Sequence, residues 1–339
     1  MSIKIKDIAN ALDLSSATVS LVINNKPGVR NETREKIFNY INEHGYNMSA
    51  KKVSLVQNRN IRFIVYKKHG KVVSDTPFFS QLIEGIEAES RKSGYNLVVS
   101  YDNKSEDDME LLKYLTKNPP EGIIILATEM SRSDFSEFEK IPVPIVLLDN
   151  SFDGEKIDTV AINNELGAFE ATAHLIEMGY NEIGYLHSSV NINNFTKRKN
   201  GFQKALDSKN IQLKENLIFS LDSTIEGAYM DMLQLLKSGV TLPGALFADN
   251  DIIAFGAIKA MKEFKIRIPE DISIIGFDDM PFCTLSEPTL STIKVFKQRM
   301  GMIAVSRLIE KIEGDAPEFV KIEVGTELVI RDSILRKIM

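Results

Sequence analysis

From Ile61 onward the chain alternates short apolar runs with amphipathic stretches, and it does so in two successive series. IRFIVY, NLVVSY, GIIILAT and IVLLD are interleaved with PFFSQLIEGIEAESRKSGY and EDDMELLKYLTK. After Thr159–Val160–Ala161–Ile162 the pattern restarts with a long helical stretch to Met178–Gly179–Tyr180, then IGYLH, LIFSL, GALFADN and ISIIGFDD. A buried strand followed by a helix that returns the chain to the next parallel strand gives this rhythm. The expected class is therefore α/β, with two doubly wound parallel sheets in series. Ligands of such sheets lie beyond the carboxyl ends of the strands, so a site between the two lobes is expected.

The first sixty residues read differently. Ile5, Ile8, Ala9 and Leu12 recur at helical spacing, Asp13–Leu14–Ser15 interrupts, and Val19, Val22 and Ile23 resume. Ser15 or Ser16 offers the hydroxyl that caps the second helix. A third amphipathic segment starts near Asn31, buries Ile37, Tyr40 and Ile41, and stops at His44–Gly45. Helix, tight turn and helix, backed by a third helix, can hold a reading helix in a DNA major groove. A generic helical bundle shares the pattern. With Val19, Val22 and Ile23 inward, Ser16, Ala17, Thr18, Ser20 and Leu21 face outward or lie beside the helix start, where short hydroxyls and methyls can meet base edges. Lys26, Arg30 and Arg34 would hold phosphates, which sets affinity and salt dependence.

Charge supports this division. The net charge of the 339-residue chain is −6, yet its first 60 residues carry nine Lys/Arg against five Asp/Glu, leaving 32 basic and 42 acidic residues for the rest. A basic head on an acidic body fits a DNA reader joined to a sensor, although surface charge also drifts without function. No stretch approaches the roughly 20 apolar residues of a membrane span, and MSIKIKDIAN lacks the apolar core of a secretory signal. The single cysteine, Cys283, can form neither an internal disulfide nor a cysteine-cluster metal site. A cytoplasmic location and no cofactor or metal are expected. Strand-end acids could hold magnesium in an enzyme, but no phosphate-cradling glycine loop or Gly-x-Ser-x-Gly elbow accompanies them. An exported sugar receptor would suit two lobes but not the basic helical head.

Polar residues fall where the strand-end rule would use them. Asp249–Asn250–Asp251 ends one apolar run and opens the helix IIAFGAIKAMKEF; Asp278–Asp279 ends the next; Arg198 follows the polar loop from Ser188 to Asn194. Guanidinium and carboxylate groups each make paired bonds to neighbouring hydroxyls. Taken alone, such acids serve equally as helix caps.

Several motifs in order resemble the lactose/galactose repressor (LacI/GalR) family. They are Ile5-Lys6-Asp7-Ile8-Ala9, Thr18-Val19-Ser20-Leu21-Val22-Ile23-Asn24, Thr33-Arg34-Glu35-Lys36-Ile37 and Gly45-Tyr46 in the head. In the body they are PFF at 77–79, HLIEMGY at 174–180, Arg198 to Phe202, ADND followed by AFG, GFDD at 276–279 and LSTIKV at 290–295. The resemblance spans essentially the whole chain. It implies a homodimer on palindromic operator DNA, with Ser16, Ala17, Thr18 and Leu21 at base-reading positions; several relatives carry arginine in place of Leu21. It also implies a hinge in 47–60 in which Leu55 wedges into the minor groove. Met48, Lys51, Lys52 and Val53 depart from the usual hinge residues. For a small polar effector, expected to be a sugar, it implies Phe78 and Phe79 as pocket lining and Arg198, Asn250 and Asp278 as polar anchors. Asp222 stands where relatives commonly place a stacking aromatic. The implied organisation is 1–46 for the DNA-binding head, 47–60 for the hinge, 61–161 plus 291–324 for the first lobe, and 162–290 plus 325–339 for the second.

Overall fold

A computed structural model describes residues 5–23, 29–43, 59–73, 77–103, 108–314 and 316–337. The chain divides into two compact units, 1–59 and 60–339. Lys26, Met48, Lys51, Lys52, Val53 and Leu55 lie outside the described residues.

In the first unit, α1 (Ile5–Ala11), α2 (Ser16–Ile23) and α3 (Asn31–Glu43) enclose a small core of Ile8, Ala9, Val19, Val22, Ile23, Ile37 and Ile41. Leu14 N bonds back to the Ala9 carbonyl at 2.9 Å, and Asp13 takes a left-handed φ of 54°, closing the turn between α1 and α2. Of the two candidate caps Ser15 serves: its Oγ accepts from Thr18 N at 3.0 Å, satisfying an amide with no partner inside the helix.

In the second unit the order is β1 (Asn60–Lys67), α4 (Pro77–Lys92), β2 (Asn96–Asn103), α5 (Asp108–Lys117), β3 (Gly122–Leu126), α6 (Arg132–Phe135), β4 (Ile145–Leu148) and β5 (Asp158–Ile162). There follow α7 (Asn164–Glu177), β6 (Ile183–Ser188), α8 (Asn193–Ser208), β7 (Ile218–Leu221), α9 (Ile225–Lys237), β8 (Ala245–Ala248), α10 (Asp251–Glu263) and β9 (Ser273–Ile275). The last elements are β10 (Thr292–Val295), α11 (Lys297–Glu313), β11 (Lys321–Val324) and β12 (Thr326–Val329).

The first lobe is a six-stranded sheet, β11-β5-β4-β3-β1-β2, parallel throughout. Period-two alternation sends Phe63, Ile124, Leu126, Val146 and Leu148 to one face and Ile64, Tyr66, Ile123, Ile125 and Leu147 to the other. Both faces are covered, which is why GIIIL in β3 is apolar at each position and wholly buried. The second lobe is a parallel sheet β7-β6-β8-β9 with Tyr185, Phe202 and Phe247 stacked in its core at centroid separations of 4.9 to 5.9 Å. Helices meet closely where glycine permits: a Cβ on Gly85 would sit 2.0 Å from the Gln298 carbonyl oxygen, and one on Gly201 2.1 Å from that of Glu165.

The chain passes between lobes at β5 to α7, at β10 to α11 and at β11 to β12. Residues 291–295, expected with the first lobe, stay with the second. β10 pairs antiparallel with β12, and Ser291 and Lys294 bridge to Ile275 and Asp278. The chain re-enters the first lobe at α11, which packs on α4. Sequence pattern could not set this boundary, because LSTIKV reads the same whichever edge it joins.

Candidate functional site

Strand order in both lobes carries polar residues to one cleft. A cavity of about 260 Å³ lies there. Lys71, Val72, Phe78, Phe79, Thr128 and Asp149 of the first lobe line it. From the second lobe come Ile192, Asn194, Phe195, Arg198, Ser223, Thr224, Ile225, Asn250, Ile252, Asp278 and Met280. Five residues singled out in the sequence, Phe78, Phe79, Arg198, Asn250 and Asp278, thus line one cavity. Asp222 does not reach it: its carboxylate turns to Lys71 Nζ at 2.7 Å and to Thr224.

Arg198 is buried at 3% exposure, and what surrounds it explains how a cation survives there. Its Nε donates to Asn164 Oδ1 at 2.8 Å, Nη1 to the Asp249 carbonyl and Nη2 to Asp278 Oδ1 at 3.2 Å. Its guanidinium lies 3.7 Å from the centroid of the Phe277 ring. Those bonds use three of its five N–H groups. Asn250 caps α10 through Oδ1, which accepts from Ile253 N at 2.9 Å, and its amide nitrogen is a further donor on the cavity wall. The flanking acids are structural. Asp249 ties Tyr185, His187 and Ser188 N together, while Asp251 accepts from Met280 N, Cys283 Sγ and Thr292 Oγ1.

Backbone strain marks the same places. Asp149, Asp278 and Asp279 have φ of 64°, 107° and 51°, a region costly for any residue but glycine and common at ligand sites. Lys297, itself buried, donates to the Asp278 carbonyl and to that of Asp279 at 3.2 Å, holding the strand end in place. Electrostatics follow from burial. Asp149 is pushed up to about 6 by desolvation, against the pull of Thr128 Oγ1 at 2.7 Å, Arg198 and Asn194. Asp278 is raised by burial in spite of Arg198 and Lys297. The arrangement offers paired donors and acceptors among apolar walls, suited to binding. Among the described residues no group of three or more His, Cys, Asp or Glu side chains could hold a metal.

Asp149, Thr128 and Asn194 were not singled out in the sequence. The strand-end rule would have found the first two, which follow β4 and β3. Lys71, Ser223 and Thr224 come from loops that carry no pattern.

In the first unit, Ser16, Ala17 and Leu21 are exposed on α2, with Thr18 and Ser20 partly covered. Arg30 is exposed before α3, and Arg34 Nε donates to the Val29 carbonyl at 3.4 Å. α2 thus presents one apolar face inward and a face of short side chains outward. Among the described residues no helix is long and apolar enough to cross a membrane.

Residues 4–49 match the family described as bacterial regulatory proteins, lacI family, and residues 172–334 match the periplasmic binding protein-like domain. The HTH-type transcriptional repressor PurR of Actinobacillus pleuropneumoniae is 31% identical over 335 residues, covering 97% of this chain and 98% of that protein. The protein of the same name from Mannheimia succiniciproducens is 33% identical over 336 residues, with the same coverage. Among solved structures, the lac repressor dimer bound to operator and the anti-inducer ONPF aligns with a TM-score of 0.72 at 26% identity, covering 99% of this chain and 100% of that one. A LacI family regulator from Enterococcus faecium with bound ribose aligns at 0.70 and 26% identity, covering 82% of this chain and 99% of that one.

Proposed function

This chain belongs to the lacI family of bacterial regulatory proteins, and from that membership we propose how its two units divide the work. It is a DNA-binding transcription regulator with a ligand-binding domain. It acts in the cytoplasm as a homodimeric repressor on a palindromic operator, each α2 lying in a major groove. Ser16, Ala17, Thr18, Ser20 and Leu21 meet base edges, and Arg30 and Arg34 meet phosphates. Lys26 on the phosphates and Leu55 in the minor groove complete the expected contacts.

The cavity takes a small polyhydroxy effector, a sugar. One observation carries this reading: Arg198 and Asp278 stand as a bonded pair on the cavity wall, with guanidinium protons left over to donate to ligand hydroxyls. Asn250 adds a donor, and Phe78 and Phe79, edge to face at 5.1 Å, cover the apolar face of a ring. A flat heterocycle would gain most from an aromatic at position 222, where this chain has a carboxylate. The ribose held by the Enterococcus faecium relative is in keeping with a sugar. Effector occupancy changes lobe orientation and with it operator affinity, a coupling of about 1–3 kcal/mol in typical cases.

Thermal-shift screening of the purified chain against neutral mono- and disaccharides, with nucleobases as the contrast set, tests the effector class. A sugar should raise the melting temperature of the wild type and leave an Asp278→Ala variant unmoved. Stabilisation by nucleobases alone would overturn it.

A further inference from the structure

Two short segments, one from each lobe, help to line the cavity. From the first lobe comes the loop 68–73, which has no regular structure but is tightly organised. The amides of Lys68, His69 and Gly70 donate to Glu129 Oε2 at 2.9, 3.0 and 2.9 Å, and those of Val72 and Val73 to Oε1 at 2.8 Å each. Burial pushes the Glu129 carboxyl up, but these amides outweigh it and hold it below its ordinary value. In this run the Lys71 amide bonds elsewhere, to His69 Nδ1 at 3.2 Å, at the crest of the loop.

From the second lobe comes the turn 222–224. Asp222 Oδ1 accepts from Thr224 N at 2.9 Å and from Thr224 Oγ1 at 2.8 Å, while Thr224 Oγ1 caps α9 through Gly227 N. The other Asp222 oxygen meets Lys71 Nζ at 2.7 Å. Other bonds between the lobes include those of Asn194 to Asp149 and Asn193 to Ser151 at the start of α8 and those of Lys297 to the Asp278 and Asp279 carbonyls. Lys71 and Asp222 bridge the cleft where Val72 and Thr224 line it.

We propose that Lys71 and Asp222 form an ionic clasp across the cleft, and that by cancelling each other's charge they tune the cavity to neutral, hydroxyl-bearing effectors over anionic ones. The second half rests on the effector reading given above. The cations on the cavity wall are Lys71 and Arg198, and each is already bonded to a carboxylate. An anionic ligand would enter beside Asp149 and Asp278 with no unpaired cation to meet it, and unpaired buried charge is costly. A neutral hydroxyl can still accept from Lys71, since only one of its three ammonium protons is used by Asp222. Replacing Asp222 with asparagine keeps an acceptor for Thr224 but leaves Lys71 positive.

Two readouts test this on the full chain. Spin labels on Lys117→Cys and Lys237→Cys, exposed positions on opposite lobes, report lobe separation without ligand. Lys71→Met and Asp222→Asn should each raise the open-to-closed ratio roughly two- to fivefold, the range of a partly exposed ion pair, and the double variant should add nothing further. Unchanged separations, or additive effects, would overturn the clasp. The second readout is the thermal shift given by D-ribose, D-glucose and cellobiose against ribose 5-phosphate and glucose 6-phosphate. A neutral sugar should bind the wild type roughly tenfold or more tightly than its ester, and Asp222→Asn should narrow that ratio. A tighter ester, or a ratio untouched by Asp222→Asn, would overturn the selectivity. If no carbohydrate binds, the effector reading fails and the selectivity with it, while the spin-label cycle alone decides the clasp.

Discussion

Replacing Arg198 with alanine strands a carboxylate, and the cost follows from its surroundings. The guanidinium is 97% buried, bonds Asn164, Asp249 and Asp278, and lies on Phe277. Breaking a buried pair from one side costs about 3–5 kcal/mol, chiefly because the remaining charge loses its partner. For a unit of this size about 2 °C accompanies each kcal/mol, so the larger calorimetric transition should fall by about 6–10 °C at pH 8. The loss should shrink toward pH 5. Asp278 already titrates above its ordinary 3.8 when folded, and losing Arg198 raises it further. A carboxylate with a raised folded value contributes its stability below the unfolded value and loses it as pH rises through the folded one. Asp278→Asn added to Arg198→Ala should recover at least half of the pH 8 deficit. Differential scanning calorimetry of the three proteins at pH 5 and 8 measures this. A deficit under about 1 kcal/mol, or one equal at both pH values, would show that Arg198 does not neutralise Asp278 in this way.

Other expectations follow from the same geometry. Asp149 and Asp251 are held at about 6 and about 7 by burial, so stability of the second unit should fall between pH 5 and 8, and Asp251→Asn should flatten that slope in pH-dependent urea melts. Gly85→Ala drives a methyl against the Gln298 carbonyl at 2.0 Å and should destabilise by about 1–3 kcal/mol, seen as a lower urea midpoint with unchanged slope. Ser15→Ala removes the cap on Thr18 N and should cost the first unit about 1 kcal/mol, read from its own calorimetric transition. Leu21→Ala, at an exposed position, should leave that transition within about 0.5 kcal/mol while changing base preference in a duplex selection.

Much of this fold is written in local pattern. GIIIL, apolar throughout and short for a helix, reads as a strand covered on both faces, and Val19, Val22 and Ile23 fix which side of α2 turns inward. Strand ends draw attention to Asn250 and Asp278, while their role as anchors with Arg198, and that of Phe78 as lining, is legible only through the family resemblance. The pairing of Asp222 with Lys71 was not legible, since it depends on two loops 151 residues apart in sequence, and no periodicity reports loop shape. Asp149 escaped because IVLLD reads first as an apolar strand, although its last residue sits at the strand end where ligands of such sheets bind. The lobe boundary near residue 295 escaped for a related reason: β10 forms its register with β12, a partner over thirty residues away.

In the proposed function, occupancy of the cleft changes the grip of the N-terminal helices on DNA. Duplexes selected by the purified chain from a genomic library, titrated by fluorescence anisotropy with and without a compound that raises its melting temperature, measure it directly. An enriched twofold-symmetric sequence whose affinity shifts roughly 5- to 150-fold with the compound, in the wild type but not in Asp278→Ala, is the predicted result. No enrichment over scrambled duplex, or an affinity indifferent to the compound, would contradict it.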